Sequence, residues 1–185
     1  MLTRNFDNIM VGYLTIASGG TAKEADWLGG KPGVVKTQYG LIKTINKYPP
    51  QGYSMFGNAD GYDDYIELPT SSNANHAILL VGSNNAEESY NDFSISILNN
   101  LTVIGDRYAN ITYSEEGCVY NTVKTFVNNT EEDITVNEVG ILQHYDVAVD
   151  VLLYRKKLDK SVTLKANGGT ATFNLVIDIP YANKP

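Results

Sequence analysis

The second half of the chain alternates between apolar and polar positions with a period of two, the pattern of strands that bury one face. The longest run covers residues 171–179, where Ala, Phe, Leu, Ile and Ile occupy the odd positions and Thr, Asn, Val and Asp the even ones. Pro180 ends this run because proline lacks the amide that a ladder requires. The same alternation predicts strands at 93–98 and 119–127. A short apolar run predicts a strand at 77–81, and residues 162–164 are expected to form a strand before the turn that leads into the last one. Residues 165–169 contain an Asn-Gly pair and predict a hairpin connection into the last strand.

Residues 134–142 break this alternation, because the apolar positions 134 and 136 are even whereas 139 and 141 are odd. One interpretation is a β-bulge near Asn137-Glu138, in which an extra residue restores the register. The other is a central strand that is covered on both faces. If the bulge exists, we expect Glu138 to accept hydrogen bonds from backbone amides that the disrupted ladder leaves unpaired, and its removal then costs about 1–3 kcal/mol.

The first 75 residues are rich in Gly, Tyr, Pro and Asp and have little periodicity. Apolar residues spaced for a helix lie between Asn5 and Thr15, and a Gly-Gly pair follows them. Short strands are predicted at Val34-Val35 and at 40–45, and residues 48–53, with two prolines, predict a projecting loop.

These patterns predict an all-β fold for a single domain over residues 1–185. It combines a loop-rich N-terminal part (1–75) with a β-sandwich part (76–185). The expected architecture is an antiparallel β-sandwich, jelly-roll or immunoglobulin-like, with a short N-terminal helix and long loops.

Composition narrows the function classes. Of 185 residues, 43% are hydrophobic, and 14 Lys plus Arg against 21 Asp plus Glu give a formal charge of −7. This balance argues against a nucleic-acid groove or a patch for anionic membranes, both of which need clustered positive charge. The apolar stretch 9–17 is a poor secretory signal, since only Arg4 supplies positive charge before it. We expect a soluble chain.

Catalytic and metal-binding motifs are weak. The sequence has no Gly-x-Ser-x-Gly elbow and no P-loop. Cys118 is expected to be a small core residue, and His76 and His144 are expected to be ordinary edge or interface residues. The acidic stretch 58–67 offers oxygen ligands for calcium, but Phe56 occupies the first EF-hand position, which favours a solvated loop.

Adjacent glutamates at 87-88, 115-116 and 131-132 lie beside predicted turns, where their side chains diverge into water. Paired catalytic carboxylates normally come from separate segments that face one cleft. The sequence therefore predicts no enzyme, no cofactor and no metal site.

Three pieces of the second half occur in a fixed order. They are Leu80–Ser83 with Glu87–Phe93, then Phe126–Thr130 with Asp133–Ile141, then Val151–Arg155 with Ser161–Leu164 and Gly168–Thr170. Together they span residues 77–179 and resemble a module of the structural proteins of tailed bacteriophages. The resemblance implies a structural signature at Gly82, Asp92, Asn128, Glu138, Gly140 and Gly168.

This resemblance implies a non-enzymatic virion component, such as a viral tail, neck ring, collar or fibre-attachment protein. Such a protein is assembled in the host cytoplasm as a homo-oligomer. Its partners are other copies of itself and neighbouring virion proteins, with no specific nucleic-acid or membrane binding. The position in the particle and the symmetry stay open.

The 13 tyrosines offer amphipathic contact surface. Tyr120 and Phe126 share a strand face that is expected either to contact a neighbouring subunit or to pack on the chain's own first half. The loop tyrosines favour subunit contacts over an alternative role, in which a receptor-binding module of a phage appendage stacks them on glycan rings. These tyrosines are Tyr48, Tyr53, Tyr62 and Tyr65.

Overall fold

The computed structural model of the chain describes residues 1–8, 34–44, 77–104, 109–113, 117–144 and 150–180. These residues are mostly β, as the alternation predicts, with one short helix at residues 4–8. The strands are β1 (Val34–Lys36), β2 (Ile42–Thr44), β3 (Ala77–Gly82), β4 (Thr102–Ile104), β5 (Ala109–Tyr113), β6 (Gly117–Asn128), β7 (Ile134–His144), β8 (Asp150–Leu164) and β9 (Gly169–Pro180).

All strand pairs are antiparallel. β1 and β2 form a small hairpin. What we call the first sheet has the order β3-β7-β8. In the second sheet, β6 pairs with β9 along its whole length on one side and with β5 and then β4 on the other.

The predicted alternation in the last strand is confirmed. Phe173, Leu175 and Ile177 are buried, whereas the residues between and beside them on β9 are exposed. β9 pairs with β6 from Gly169 to Pro180 without a register shift. The second sheet therefore has one largely apolar face, which also includes the buried Thr122 and Lys124, and one outer face that carries mainly Thr, Asn and Val side chains together with Asp178.

Apolar side chains from both sheets form one cluster. The first sheet contributes Leu79, Val81, Ile141 and Leu153 among others, and the second contributes Val103, Tyr120, Phe126, Phe173 and Leu175. Phe126 and Phe173 meet edge to face, with ring centroids 5.8 Å apart, a favoured aromatic geometry.

This cluster corrects one expectation. Tyr120 and Phe126 are only 1% and 3% exposed, so they are buried in the chain's own core and do not form a surface for another subunit. They lie at even positions of β6, which face the same side as the odd, apolar positions of β9.

The register of the β7–β8 ladder shifts between Val136 and Glu138, as the broken alternation predicts. However, β7 contributes only Asn137 to the irregular stretch, whereas β8 contributes residues 158–161. The irregularity is confirmed, but the extra residues belong to the partner strand. Sequence alone did not reveal this, because it does not identify which strand opposes which.

The alternative interpretation of the same strand is also confirmed. Val139 and Ile141 belong to the core shared by the two sheets, whereas Leu142 belongs to a second cluster on the other face. That second cluster includes Ile95 and Leu152. β7 is therefore both irregular and covered on its two faces at this point.

Two predicted elements differ from the structure. Residues 93–97 form only an isolated bridge between Ile97 and Gly82, and this segment crosses the outside of the first sheet. Residues 165–168 do form a tight turn, but β8 pairs with β7 while β9 pairs with β6. The turn thus carries the chain from one sheet to the other instead of closing a hairpin.

Candidate functional site

The most highly bonded side chain in the first sheet is the buried guanidinium of Arg155, on β8. Its Nε donates to Glu138 Oε2 at 2.6 Å, and Nη1 donates to Asp92 Oδ2 at 2.7 Å. Nη1 also donates to the carbonyl oxygen of Glu87 at 3.2 Å, and Nη2 donates to that of Ala86 at 2.9 Å. Arg155 therefore fastens the segment after β3 to the strands β7 and β8. We call this set the Arg155 cluster.

Glu138 is fully buried, and both of its carboxylate oxygens are used. While Oε2 accepts from Arg155, Oε1 accepts the backbone amides of Asn84 at 3.2 Å and of Ser96 at 2.9 Å. Glu138 does accept backbone amides, but the predicted source of these amides is wrong. The amides come from the segment over the sheet and not from the irregular ladder itself.

Two glycines make room for this arrangement. A Cβ atom on Gly82, which pairs with Glu138 across the β3–β7 ladder, would come within 2.8 Å of the Glu138 Cγ and of Ile95 Cγ1. A Cβ on Gly140 would come within 2.9 Å of Ile95 Cδ1 and 3.1 Å of Leu152 Cδ1. Both sites need glycine because the covering segment lies directly against the strands.

The electrostatics of the cluster are those of a buried, paired cation. Burial alone lowers the pKa of Arg155, but hydrogen bonds and attraction to Asp92 and Glu138 outweigh burial and raise it. Arginine therefore stays charged at every accessible pH. Desolvation of the two charges offsets much of their attraction, so the intact ion pair contributes little net stability. Removing only one partner is more destabilising, because it leaves the other charge buried without a counter-ion.

A more exposed ion pair lies at the rim of this cluster, between Lys157 Nζ and the Glu87 carboxylate. Beside it, Glu88 Oε2 accepts the backbone amide of Lys157 at 3.3 Å. Partial burial raises the pKa of Glu88, but backbone hydrogen bonds and nearby positive charges lower it by more. The exposed pair of Lys157 and Glu87 contributes less to folding stability than the buried ion pairs of Arg155, since water screens exposed ion pairs.

A second polar cluster lies where the chain passes between the sheets, around the fully buried Asn128 at the end of β6. Asn128 Nδ2 donates to the carbonyl oxygens of Glu132 at 2.7 Å and Leu164 at 3.0 Å. Its Oδ1 accepts the amide of Thr130 at 3.0 Å and the Thr130 hydroxyl at 2.7 Å. We call this the Asn128 cluster.

The turn between β8 and β9 is hydrogen-bonded to the Asn128 cluster. The amide of Asn167 donates to the carbonyl of Thr130 at 2.8 Å, and that of Gly168 to the carbonyl of Asn128 at 2.7 Å. Asn167 and Gly168 have φ of 57° and 108°, in the region that glycine and asparagine tolerate best. The two connections between the sheets are thereby joined side by side.

An exposed ion pair flanks this second cluster. Lys165 Nζ donates to Asp133 Oδ2 at 2.7 Å, and the amide of Ala166 donates to Oδ1 at 3.0 Å. These hydrogen bonds, that from Lys165 first, lower the pKa of the Asp133 carboxyl.

The six positions of the structural signature thus fall into two groups. Gly82, Asp92, Glu138 and Gly140 meet in or beside the Arg155 cluster, and Asn128 and Gly168 meet in the Asn128 cluster. Sequence reasoning missed Arg155 as the common partner of Asp92 and Glu138. The sequence feature that could have identified Arg155 is its place directly after the apolar run Val151–Tyr154, and the structure shows that this position is buried.

Other candidates lie beyond what the structure describes. Tyr48, Tyr53, Tyr62 and Tyr65 fall outside the described ranges, as do His76 and the acidic stretch 58–67. Glu131 and Glu132 are exposed, as expected for a solvated pair. The expectation that the paired side chains diverge into water is wrong for Glu87 and Glu88, which both bond to Lys157, and residues 115-116 lie outside the described ranges. Within the described ranges, no three His, Cys, Asp or Glu side chains are grouped so as to hold a metal ion.

Comparisons give no further identification, since no family model, curated protein or solved structure matches the chain. In the part of the chain that the structure describes, no helix has the length and apolar character needed to cross a bilayer.

Proposed function

We propose that this protein is a non-enzymatic structural subunit of a tailed-phage particle that assembles with copies of itself. In this proposal the two sheets stack as a β-sandwich of the jelly-roll or immunoglobulin-like kind. The subunit acts in a tail, neck ring or collar, with neighbouring virion proteins as its further partners.

The observation that carries the proposal is the use of the signature polar groups. These polar groups form their hydrogen bonds within this chain. They are the Glu138 carboxylate, the Asp92 Oδ2 atom, and the oxygen and nitrogen of the Asn128 side-chain amide. A catalytic carboxylate needs access to a substrate, whereas Glu138 is fully buried and paired with Arg155. The signature residues therefore stabilise the fold, which is the role expected of residues in a structural subunit.

The outer face of the second sheet supports self-association. Ile104, Val123 and Val176 are 48%, 39% and 49% exposed on three different strands of that sheet. Exposed apolar side chains that share one face are typical of protein contact surfaces. The whole chain carries a charge of −7, whereas Asp178 is the one charged residue among the described residues of this face, so copies meet there with little repulsion.

Mass photometry of the purified chain at micromolar concentration tests the proposal. We expect species at multiples of 20.3 kDa. A reconstruction of the intact particle by cryo-electron microscopy is expected to locate the subunit in the tail or neck. Release of reducing sugars from host polysaccharide by the purified protein would contradict the non-enzymatic assignment.

A further inference from the structure

β9 is a long strand with one paired edge. Its 12 residues pair with β6 from end to end, and no other strand among the described residues pairs with its second edge. Along such an edge, about every second residue directs its amide and carbonyl groups outward. An unpaired edge of this length is a template for another strand.

β9 also lacks the features that normally protect an edge. Residues 169–180 contain no Lys or Arg, and their one proline, Pro180, lies at the very end. The register with β6 has no bulge. Natural sheets block exposed edges with lysine, proline and bulges, and β9 uses none of these along its centre.

β8, the edge strand of the first sheet, provides a contrast within the same molecule. It carries several charged residues between Arg155 and Lys160 and an irregular register against β7. The start of the chain also bridges to it, through Leu2 and Tyr154. The edge of β8 is therefore protected by charge, irregularity and a bridging segment, whereas the second edge of β9 has no partner strand within the described ranges.

We propose that β9 pairs edge to edge with β9 of a second copy, antiparallel about a two-fold axis near Asn174, so that the two second sheets become one. This inference rests on the proposed self-assembly and specifies its geometry. An antiparallel, symmetric pairing buries the same edge on both copies and therefore closes on itself.

Charge on β9 allows a second copy to pair in the antiparallel direction and disfavours the parallel one. The only charged side chain on β9 is Asp178. A two-fold at Asn174 places Asp178 of one copy opposite Thr170 of the other, whereas parallel pairing would align the two aspartates and cause repulsion. The same register places the exposed β-branched residues Thr172 and Val176 opposite each other, a favourable cross-strand pair.

Cysteine cross-linking tests the geometry. Thr172→Cys, Asn174→Cys and Val176→Cys are made one at a time, with Cys118, the only natural cysteine, replaced by Ser. We expect a disulfide-linked dimer for Asn174→Cys alone and for an equal mixture of Thr172→Cys with Val176→Cys, because these residues lie opposite each other in adjacent strands, within disulfide reach. Thr172→Cys alone and Val176→Cys alone are not expected to cross-link, since the two copies of each lie four residues, about 14 Å, apart along the strands.

Val123→Cys in the same background is the matched control. Val123 lies on the same outer face and pairs with Asn174, but on the central strand β6. In the proposed dimer the two Val123 positions are separated by three strand spacings, about 14 Å, which is beyond the limit of about 7 Å between Cα atoms. We expect no disulfide.

A second measurement uses charge. Asn174→Lys places two lysines opposite each other at the axis and is expected to raise the dimer dissociation constant about two- to fivefold, whereas Thr135→Lys, at an exposed position of the first sheet, leaves it unchanged. Circular dichroism melts check that both variants fold.

Oligomers that cross-link through Val123→Cys but not through the β9 variants, or that resist Asn174→Lys, would overturn the edge pairing and leave self-assembly standing. A protein that stays at 20.3 kDa at tens of micromolar would overturn the pairing as well. The protein would also stay monomeric if another segment of the same chain covered the free edge of β9.

Discussion

The Arg155 cluster and the Asn128 cluster both fasten loops to strands, but with different chemistry. The first is ionic: a buried guanidinium that lies between two carboxylates in the first sheet. The second is neutral: one amide that bonds to both connections between the sheets. Buried charges depend on every partner being present, whereas a neutral amide loses only its own hydrogen bonds. We therefore expect the two clusters to respond very differently to single substitutions.

Loss of the cation is expected to have the largest effect. Arg155→Met leaves Glu138 buried without its counter-ion and is expected to lower the free energy of unfolding by about 3–5 kcal/mol. Urea titration followed by circular dichroism measures this. Lys157→Met is the control, since it breaks an ion pair at the partly exposed rim and costs at most about 1 kcal/mol. Equal losses in the two variants would mean that the buried pair is not specially costly to break.

The neutral cluster is expected to be less sensitive. Asn128→Ala leaves the carbonyl oxygens of Glu132 and Leu164 without this donor and is expected to cost about 1–3 kcal/mol. Asn129→Ala is a matched control next door, because Asn129 is exposed and its loss is expected to stay within about 0.5 kcal/mol. The same urea titration compares them. A loss above that of Arg155→Met would reverse the comparison.

Backbone strain in the turn is expected to contribute less again. Gly168 has a φ of 108°, and the space around its Cβ position is open. Gly168→Ala therefore adds conformational strain without a clash, which is expected to cost about 1 kcal/mol. Asn167→Gly is the control, because glycine tolerates the φ of 57° at that position. Thermal melts that show no difference between these variants would contradict a requirement for glycine at position 168.

The smallest effect is expected from the exposed pair of Asp133 and Lys165, and it depends on pH. Folding lowers the pKa of Asp133 from 3.8, so its contribution to stability is present above pH 3.8 and is lost as the pH falls through the folded value. Asp133→Asn is therefore expected to reduce the acid sensitivity of the melting temperature slightly. Lys165→Met removes the main cause of the shift and is expected to reproduce most of this change. An unchanged pH dependence in both variants would show that the pair is fully screened.

Much of the β-rich fold follows from local pattern. The alternation in residues 171–179 reports which side of β9 is buried, because the side-chain period of a strand is two. The irregularity at Asn137-Glu138 was also readable, as a change of parity in the apolar positions. Both features depend on neighbouring residues in the sequence.

Pairing between distant segments was not readable in this way. The Asn-Gly turn at 167-168 has the local chemistry of a hairpin, but its flanking strands belong to different sheets because each finds a better-matched partner elsewhere. For the same reason Glu138 was identified while Arg155 was not. The burial of Arg155 depends on a segment more than sixty residues earlier in the chain.

The ladder between β6 and β9 joins Gly117 to Pro180 and encloses both β7 and β8 in the intervening chain. Closing such a loop loses chain entropy before the stabilising strand contacts can form. Strand-rich proteins with many distant contacts therefore fold in milliseconds to seconds. β9 is also the final strand described, so the second sheet cannot be completed until the ribosome has released that part of the chain. A newly made chain therefore spends an interval in which β6 has β4 and β5 on one side but lacks β9 on the other, and rapid synthesis at high concentration then favours aggregation.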